Sequence, residues 1–228
     1  MVVISPHLDD AVFACGQILG QAAGSTVVTV FTGMPPDTDR LTDWDRQCGF
    51  SHAGQAVLAR REEDLNALAH LQARPLWLDF IDSQYGSTPT VEQVASKLVS
   101  VLRDWPADTV LFPMGLFHSD HVLVHEATLQ ALRECRHHRP LLYEDALYRR
   151  MKSLLQQRLA EMASAGIMAT PQDTIASAPT QAKRDAVAAY RSQLRAFGDG
   201  GYDDVFAPER IWDLVLDTNA LQEDQDDR

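Results

Sequence analysis

Cysteine is scarce and scattered in this chain. Cys15, Cys48 and Cys135 are the three, and no two of them have the spacing of a zinc ribbon or a redox pair. Reduced thiols, and with them a cytoplasmic location, are the expectation. Basic residues are also short: 20 Lys and Arg stand against 32 Asp and Glu, a formal net charge of −12. Phosphate backbones are held by clustered Lys and Arg, so nucleic acid is not an expected partner. Much of the acidic excess sits in Glu223-Asp224-Gln225-Asp226-Asp227, and residues 222–228 are expected to form a frayed, solvated tail. No apolar run is long enough to span a bilayer, and the first residues read as a strand rather than a signal peptide, so no membrane partner is expected. The abrupt opening Met1-Val2-Val3 is compatible with a trimmed start. Internal repeats and low-complexity tracts are missing too. Oligomeric state is not legible.

At 228 residues and 45% apolar content, the chain can bury one full core, and one domain over 1–228 is the default. Apolar runs of strand type fall at 1–5, 26–32, 75–81, 109–113 and 140–143, with a short edge strand at 174–176. Helical periodicity covers 10–23, 55–71, 90–103 with Thr90 as N-cap, 121–135, 147–165 and 181–196. Alternation of this kind predicts an α/β fold, a Rossmann-like three-layer sandwich whose mostly parallel sheet carries helices on both faces. Residues 33–54, rich in Pro, Asp and Gly, read as a long functional or mobile loop.

Two corners carry the chemistry. Ser5-Pro6-His7-Leu8-Asp9-Asp10 follows the first strand and opens the first helix. His7 and Asp10 are three apart, so on a first helical turn they point the same way. An imidazole and a carboxylate converging there suit a divalent cation such as zinc, which leaves Asp9 for another task. His118-Ser119-Asp120-His121 repeats the grammar behind the fourth strand. In a doubly wound sheet the first and fourth strands are neighbours at the switch point, where ligands bind. The plainer reading of Asp9 and Asp10 is a pair of carboxylates at a helix N-terminus; the matching second corner favours metal.

Pro6-His7-Leu8-Asp9-Asp10-Ala11 and His118-Ser119-Asp120-His121 resemble the two signatures of the PIG-L/LmbE-type zinc N-deacetylases, Pro/Ala-His-Pro-Asp-Asp-Glu and His-x-Asp-His. Arg60 and Glu63 are similar to that family's Arg-x-x-Glu segment, and Lys183, Ala186 and Ser192-Gln193 to its C-terminal pattern. Leu8 and Ala11 depart from the usual Pro and Glu, Tyr190 stands where a His is common, and Leu116 stands where a mycothiol-pathway relative has a mobile Tyr. The resemblance implies His7, Asp10 and His121 as ligands of Zn2+, or of another divalent cation such as Fe2+. It implies Asp9 as general base and His118 as its counterpart toward the oxyanion or the leaving amine, with Asp120 orienting a ring. The implied reaction is hydrolysis of the N-acetyl group of an N-acetylglucosamine-type sugar conjugate.

Other positions are weighed against plainer roles. Arg60 is a candidate substrate contact, although Arg60 and Arg61 also suit a solvated helix face. Trp44 is a candidate sugar platform or, equally, a cap on the core. His125 has metal spacing from His121 but reads as structural. His137 and His138 suit a solvated helix end, and Cys15 a small buried hydrophobe. The whole-function alternatives are a metal-dependent hydratase or lyase on the same fold and a non-catalytic sugar-binding module.

Overall fold

The computed structural model describes residues 1–103, 105, 109–172 and 178–216. Its sheet has seven strands in the order β3-β2-β1-β4-β5-β7-β6. They are β1 (Val2–Ser5), β2 (Thr26–Thr29), β3 (Arg74–Trp77), β4 (Thr109–Pro113), β5 (Arg139–Tyr143), β6 (Ile167–Pro171) and β7 (Ile211–Leu216). The first five are parallel to one another, with Val3 of β1 opposite Val27 of β2 and Leu111 of β4. β7 runs antiparallel between β5 and β6.

The three layers follow from the two-residue period of the strands. Val2, Ile4, Val28, Val110, Phe112 and Leu142 face one side. There α4 (Val91–Leu102), α5 (Ser119–Glu134) and α6 (Leu154–Ser164) cover them with Leu98, Val124 and Met162. Val3, Val27, Leu111, Leu141 and Tyr143 face the other side. They meet Ala14 of α1 (Asp10–Gln21), Leu68 of α3 (Ala53–His70) and Val187 of α7 (Gln181–Ala189). Strands buried on both faces are why β1 and β4 read as continuous apolar runs.

Several boundaries differ from the sequence reading. The 33–54 segment holds a short helix, α2 (Asp43–Cys48), started by a capping box between Thr42 and Asp45. The helix expected from 147 begins at Leu154, because Leu147 and Ser153 are left-handed, at φ of 71° and 66°. The last long helix is two, α7 and α8 (Arg191–Phe197), broken at Tyr190. Tyr190 is buried and donates its hydroxyl to Asp64 (2.7 Å). Neither β6 nor β7 has a counterpart in the sequence reading, and His138 is buried rather than solvated. The expected strand at 174–176 and the tail at 222–228 lie outside the described residues.

The helix that carries the first corner is anchored by a buried ion pair. α1 breaks at Cys15 (φ −141°, ψ 27°), which frees backbone groups on either side. Lys183 Nζ donates to the Phe13 carbonyl (2.9 Å) and to Glu209 Oε1 (2.7 Å). Glu209 accepts the N–H groups of Gln17 (2.7 Å) and Ile18 (3.0 Å). Gly16 leaves room for this, since a Cβ there would lie 2.7 Å from Lys183 Cδ. Lys183→Met strands Glu209 without its cation and is expected to lower the unfolding free energy by about 3–5 kcal/mol. Urea unfolding measures it, and a loss no larger than that of a surface substitution contradicts the anchoring role.

Candidate functional site

From β1 the chain builds outward through β2 and β3 to one edge, then restarts at β4 and moves toward the other. β1 and β4 therefore flank the switch point, and the two corners face each other beyond their carboxyl ends. Ser5 braces the first corner, its Oγ donating to the His7 carbonyl (2.7 Å) and accepting the Ala11 N–H (3.0 Å). Asp10 Oδ2 folds back to accept the His7 N–H (2.8 Å). At the second corner His118 N–H donates to the Leu116 carbonyl (2.7 Å), closing a tight turn over Phe117. His118 caps α5, its Nδ1 accepting the Asp120 N–H (3.2 Å).

His7 Nδ1 lies 3.1 Å and His121 Nε2 3.2 Å from the same Asp10 oxygen. Tetrahedral zinc with bonds of about 2.0–2.1 Å spaces its ligands by roughly 3.3 Å, so Asp10 stands close to that separation from both imidazoles, and all three donor atoms lie within 4.8 Å of one another. Each imidazole is held from behind by a buried carboxylate. His7 Nε2 is 3.1 Å from Asp120 Oδ2, which also accepts from Ser83 Oγ (3.0 Å). His121 Nδ1 is 2.6 Å from Asp145 Oδ1, and the other Asp145 oxygen accepts the Gly115 and Leu116 N–H groups (both 3.0 Å). Carboxylate, imidazole and an open cluster in line are the outer-shell arrangement of metal sites. Asp120 Oδ1 is buried with no partner among the described residues. His7, His118 and Asp120 form an overlapping donor group that shares His7.

The electrostatics favour positive charge at this point. Burial lowers the basicity of His121, yet Asp10 and Asp145 outweigh it and lift the ring to about 9. Burial is likewise overcome at His7, which Asp10, Asp120 and Asp82 push well above the usual imidazole range. Burial would raise Asp10, but His121 and His7 hold it well below the carboxylate range. Asp9 behaves oppositely: burial, then the neighbouring Asp10 charge, push it up to about 7, with Arg60 the main counterweight. His118 is lowered by burial and by the two neighbouring imidazoles.

Arg60 is buried, not on a solvated face. Its Nη2 is 3.9 Å from Asp9 Oδ1 and its Nη1 3.9 Å from Asp82 Oδ2. Arg61 is also engaged, donating to the Thr32 carbonyl (2.7 Å) and lying over Trp77. Trp44 forms a wall of the cleft against Phe197, ring centroids 5.3 Å apart. Its Nε1–H donates to Gln193 (3.2 Å), Gln193 to Ser192 Oγ (2.9 Å), and Ser192 Oγ to Glu63 (2.6 Å). That chain ties the 33–54 segment to the C-terminal helices through the Arg-x-x-Glu and Ser-Gln marks. His125 stays outside, donating Nδ1–H to the Pro113 carbonyl (2.8 Å), and burial lowers it to about 3.

The cleft over the cluster encloses about 440 Å³, a size suited to a small ligand. A smaller cavity of about 210 Å³ at the opposite end of the sheet, beside Lys183 and Phe206, holds none of these donors. Sequence reasoning missed Asp82 and Tyr148, which line the cleft, and Asp145, buried behind His121. The signal for Asp145 was an acidic pair, Glu144-Asp145, at the carboxyl end of a parallel strand.

A family model described as PIG-L, GlcNAc-PI de-N-acetylase, matches residues 2–132, more than half of the chain. A 2'-N-acetylparomamine deacetylase of Streptomyces fradiae is 32% identical over 153 residues, 58% of this chain and 51% of that protein. The match thus spans about half the length of that curated relative. Teicoplanin deacetylase Orf2, solved in a zinc-inhibited form, is 25% identical with a TM-score of 0.77, covering 96% of this chain and 98% of its own. A 4-carboxy-2-hydroxymuconate hydratase of Pseudomonas putida, 17% identical with a TM-score of 0.59 over 94% and 95% of the two chains, shares the fold alone.

Asp145→Asn offers one acceptor where His121 and two backbone N–H groups need two. It is expected to weaken divalent-cation binding by about 10–100-fold, measured by competition with a chelator. Unchanged affinity contradicts the orienting role.

Proposed function

The chain belongs to the PIG-L family, and from that premise we propose that it is a zinc-dependent hydrolase removing an N-acetyl group from an amino sugar within a larger conjugate. The observation that carries the proposal is the convergence of His7, Asp10 and His121 beside a buried carboxylate, Asp9, that is not part of their cluster. Two imidazoles and one carboxylate with an open fourth side are a donor set of catalytic zinc, and Fe2+ accepts the same set. Bound there, zinc supplies Lewis acidity that acidifies water and polarises a carbonyl at neutral pH.

The remaining work falls to side chains. Asp9 takes the proton of the water that adds to the acyl carbon. As the C–N bond breaks, the proton held by Asp9 passes to the departing nitrogen, while His118, whose Nδ1 accepts the Asp120 N–H, offers its Nε2–H to the developing oxyanion, so amide and water give amine and acetate. Asp120 and Asp145 keep the His7 and His121 rings in one tautomer and orientation. Arg60 sits between Asp9 and Asp82, where it steadies the base and offers donors to sugar hydroxyls. Trp44 offers an aromatic face to a sugar ring. The names of the relatives, a paromamine and a teicoplanin deacetylase, support a sugar-bearing substrate.

Zinc-loaded protein is expected to release acetate and a free amine from at least one N-acetylated amino-sugar conjugate, and chelation to abolish release. Asp9→Ala is expected to lower kcat by about 10²–10⁴ with zinc content unchanged. Protein that holds zinc, frees no amine from any N-acetyl sugar and instead hydrates an enoate overturns the proposal in favour of a hydratase.

A further inference from the structure

Next to two cleft-lining residues, His118 and Tyr148, stands an aromatic side chain for which the chemistry above has no use. Phe117 is 61% exposed, and a large apolar ring gains nothing from standing in water. Its backbone is also unfavourable. Phe117 has φ of 63° and is spanned by the hydrogen bond from His118 N–H to the Leu116 carbonyl, the strained positive-φ form of a γ-turn. Strain of this kind persists where the surroundings over-determine it, and it clusters at ligand sites.

What holds the ring is a second aromatic. Phe117 and Tyr148 lie 5.3 Å apart, tilted by 35°. Tyr148 lines the cleft and meets His121 edge-on at 5.3 Å and 82°. His121, Tyr148 and Phe117 thus form a continuous row of rings from the donor cluster out to solvent. Across the cleft, Trp44 and Phe197 form a separate aromatic wall.

We propose that Phe117 and Tyr148 form a subsite for the part of the conjugate attached to the reacting sugar, and that this part presents a flat apolar ring face. Phe117 is the specificity-determining residue of the pair, since it alone projects beyond the cleft. The assignment rests on the deacetylase reading for the placement of the reacting sugar. An aryl aglycone stacks on the exposed ring, whereas a methyl aglycone is too small to cover it.

The test is calorimetric binding to zinc-loaded Asp9→Ala protein, which slows turnover, using 4-nitrophenyl and methyl N-acetylglucosaminides of both anomeric forms. One aryl anomer is expected to bind roughly tenfold more tightly than its methyl counterpart, the scale of one aromatic pair. Adding Phe117→Ala is expected to bring that ratio close to one, and Phe117→Trp to preserve it. A ratio near one before substitution, a ratio indifferent to Phe117→Ala, or no binding of any glycoside overturns the subsite. Acetate release by the unsubstituted enzyme is measured in parallel: no release with the Phe117-dependent ratio intact removes the reaction and leaves the subsite standing.

Discussion

The hydrogen bonds of one buried carboxylate, Asp145, constrain most of the site. One oxygen fixes the His121 ring at 2.6 Å, and the other holds the Gly115 and Leu116 N–H groups. The same side chain therefore sets the path of the second corner and the direction of the imidazole that leaves it. Asp120 does the equivalent for His7 across the switch point. With both rings fixed from behind, their free nitrogens meet at Asp10 Oδ2 with little freedom left to lose to the cation proposed for this cluster. The cost of this arrangement is concentrated, buried negative charge, offset by the Gly115 and Leu116 N–H groups at Asp145, by Ser83 at Asp120, by Arg60 next to Asp9 and by positive charge at the cluster.

The walls of the cleft come from chain segments distant in sequence. Trp44 is held by Gln193, and Gln193 joins Ser192 and Glu63 in one hydrogen-bonded chain. Asp45 accepts the Tyr85 hydroxyl with both oxygens (3.1 Å each), which pins α2 from below. The 33–54 segment is thus a bolted wall rather than a free loop. Phe117 differs, standing largely exposed on a positive-φ turn with its ring against Tyr148.

Much of this was legible in the residues themselves. The β-branched runs at Val2-Val3-Ile4 and Thr26-Val27-Val28-Thr29 marked buried parallel strands, and the topology then required β1 and β4 to be adjacent. Once they are, His7, Asp10 and His121 have nowhere to go but toward one another. The acidic pair at 144–145 was visible, but the partnership of Asp145 with His121 was not, because the two lie 24 residues apart and meet through the β4–β5 register. Arg60 looked solvent-facing because local sequence does not reveal that Asp9 and Asp82 converge on its side of α3. Tyr190 ends a helix that periodicity would continue, since its hydroxyl is claimed by Asp64, 126 residues away. β6 and β7 hid for the same reason: an antiparallel pair added beyond β5 is set by tertiary pairing rather than by the alternation that marked the parallel strands.

The central claim is that two corners joined by the β1–β4 pairing hold one cation through His7, Asp10 and His121. Diffraction from zinc-loaded crystals on both sides of the zinc absorption edge tests it most directly. The account predicts one anomalous peak per chain, bonded at about 2.0–2.2 Å to two imidazole nitrogens and one carboxylate oxygen from those three residues. A peak coordinated by other side chains, or no peak at that point in protein saturated with zinc, contradicts it.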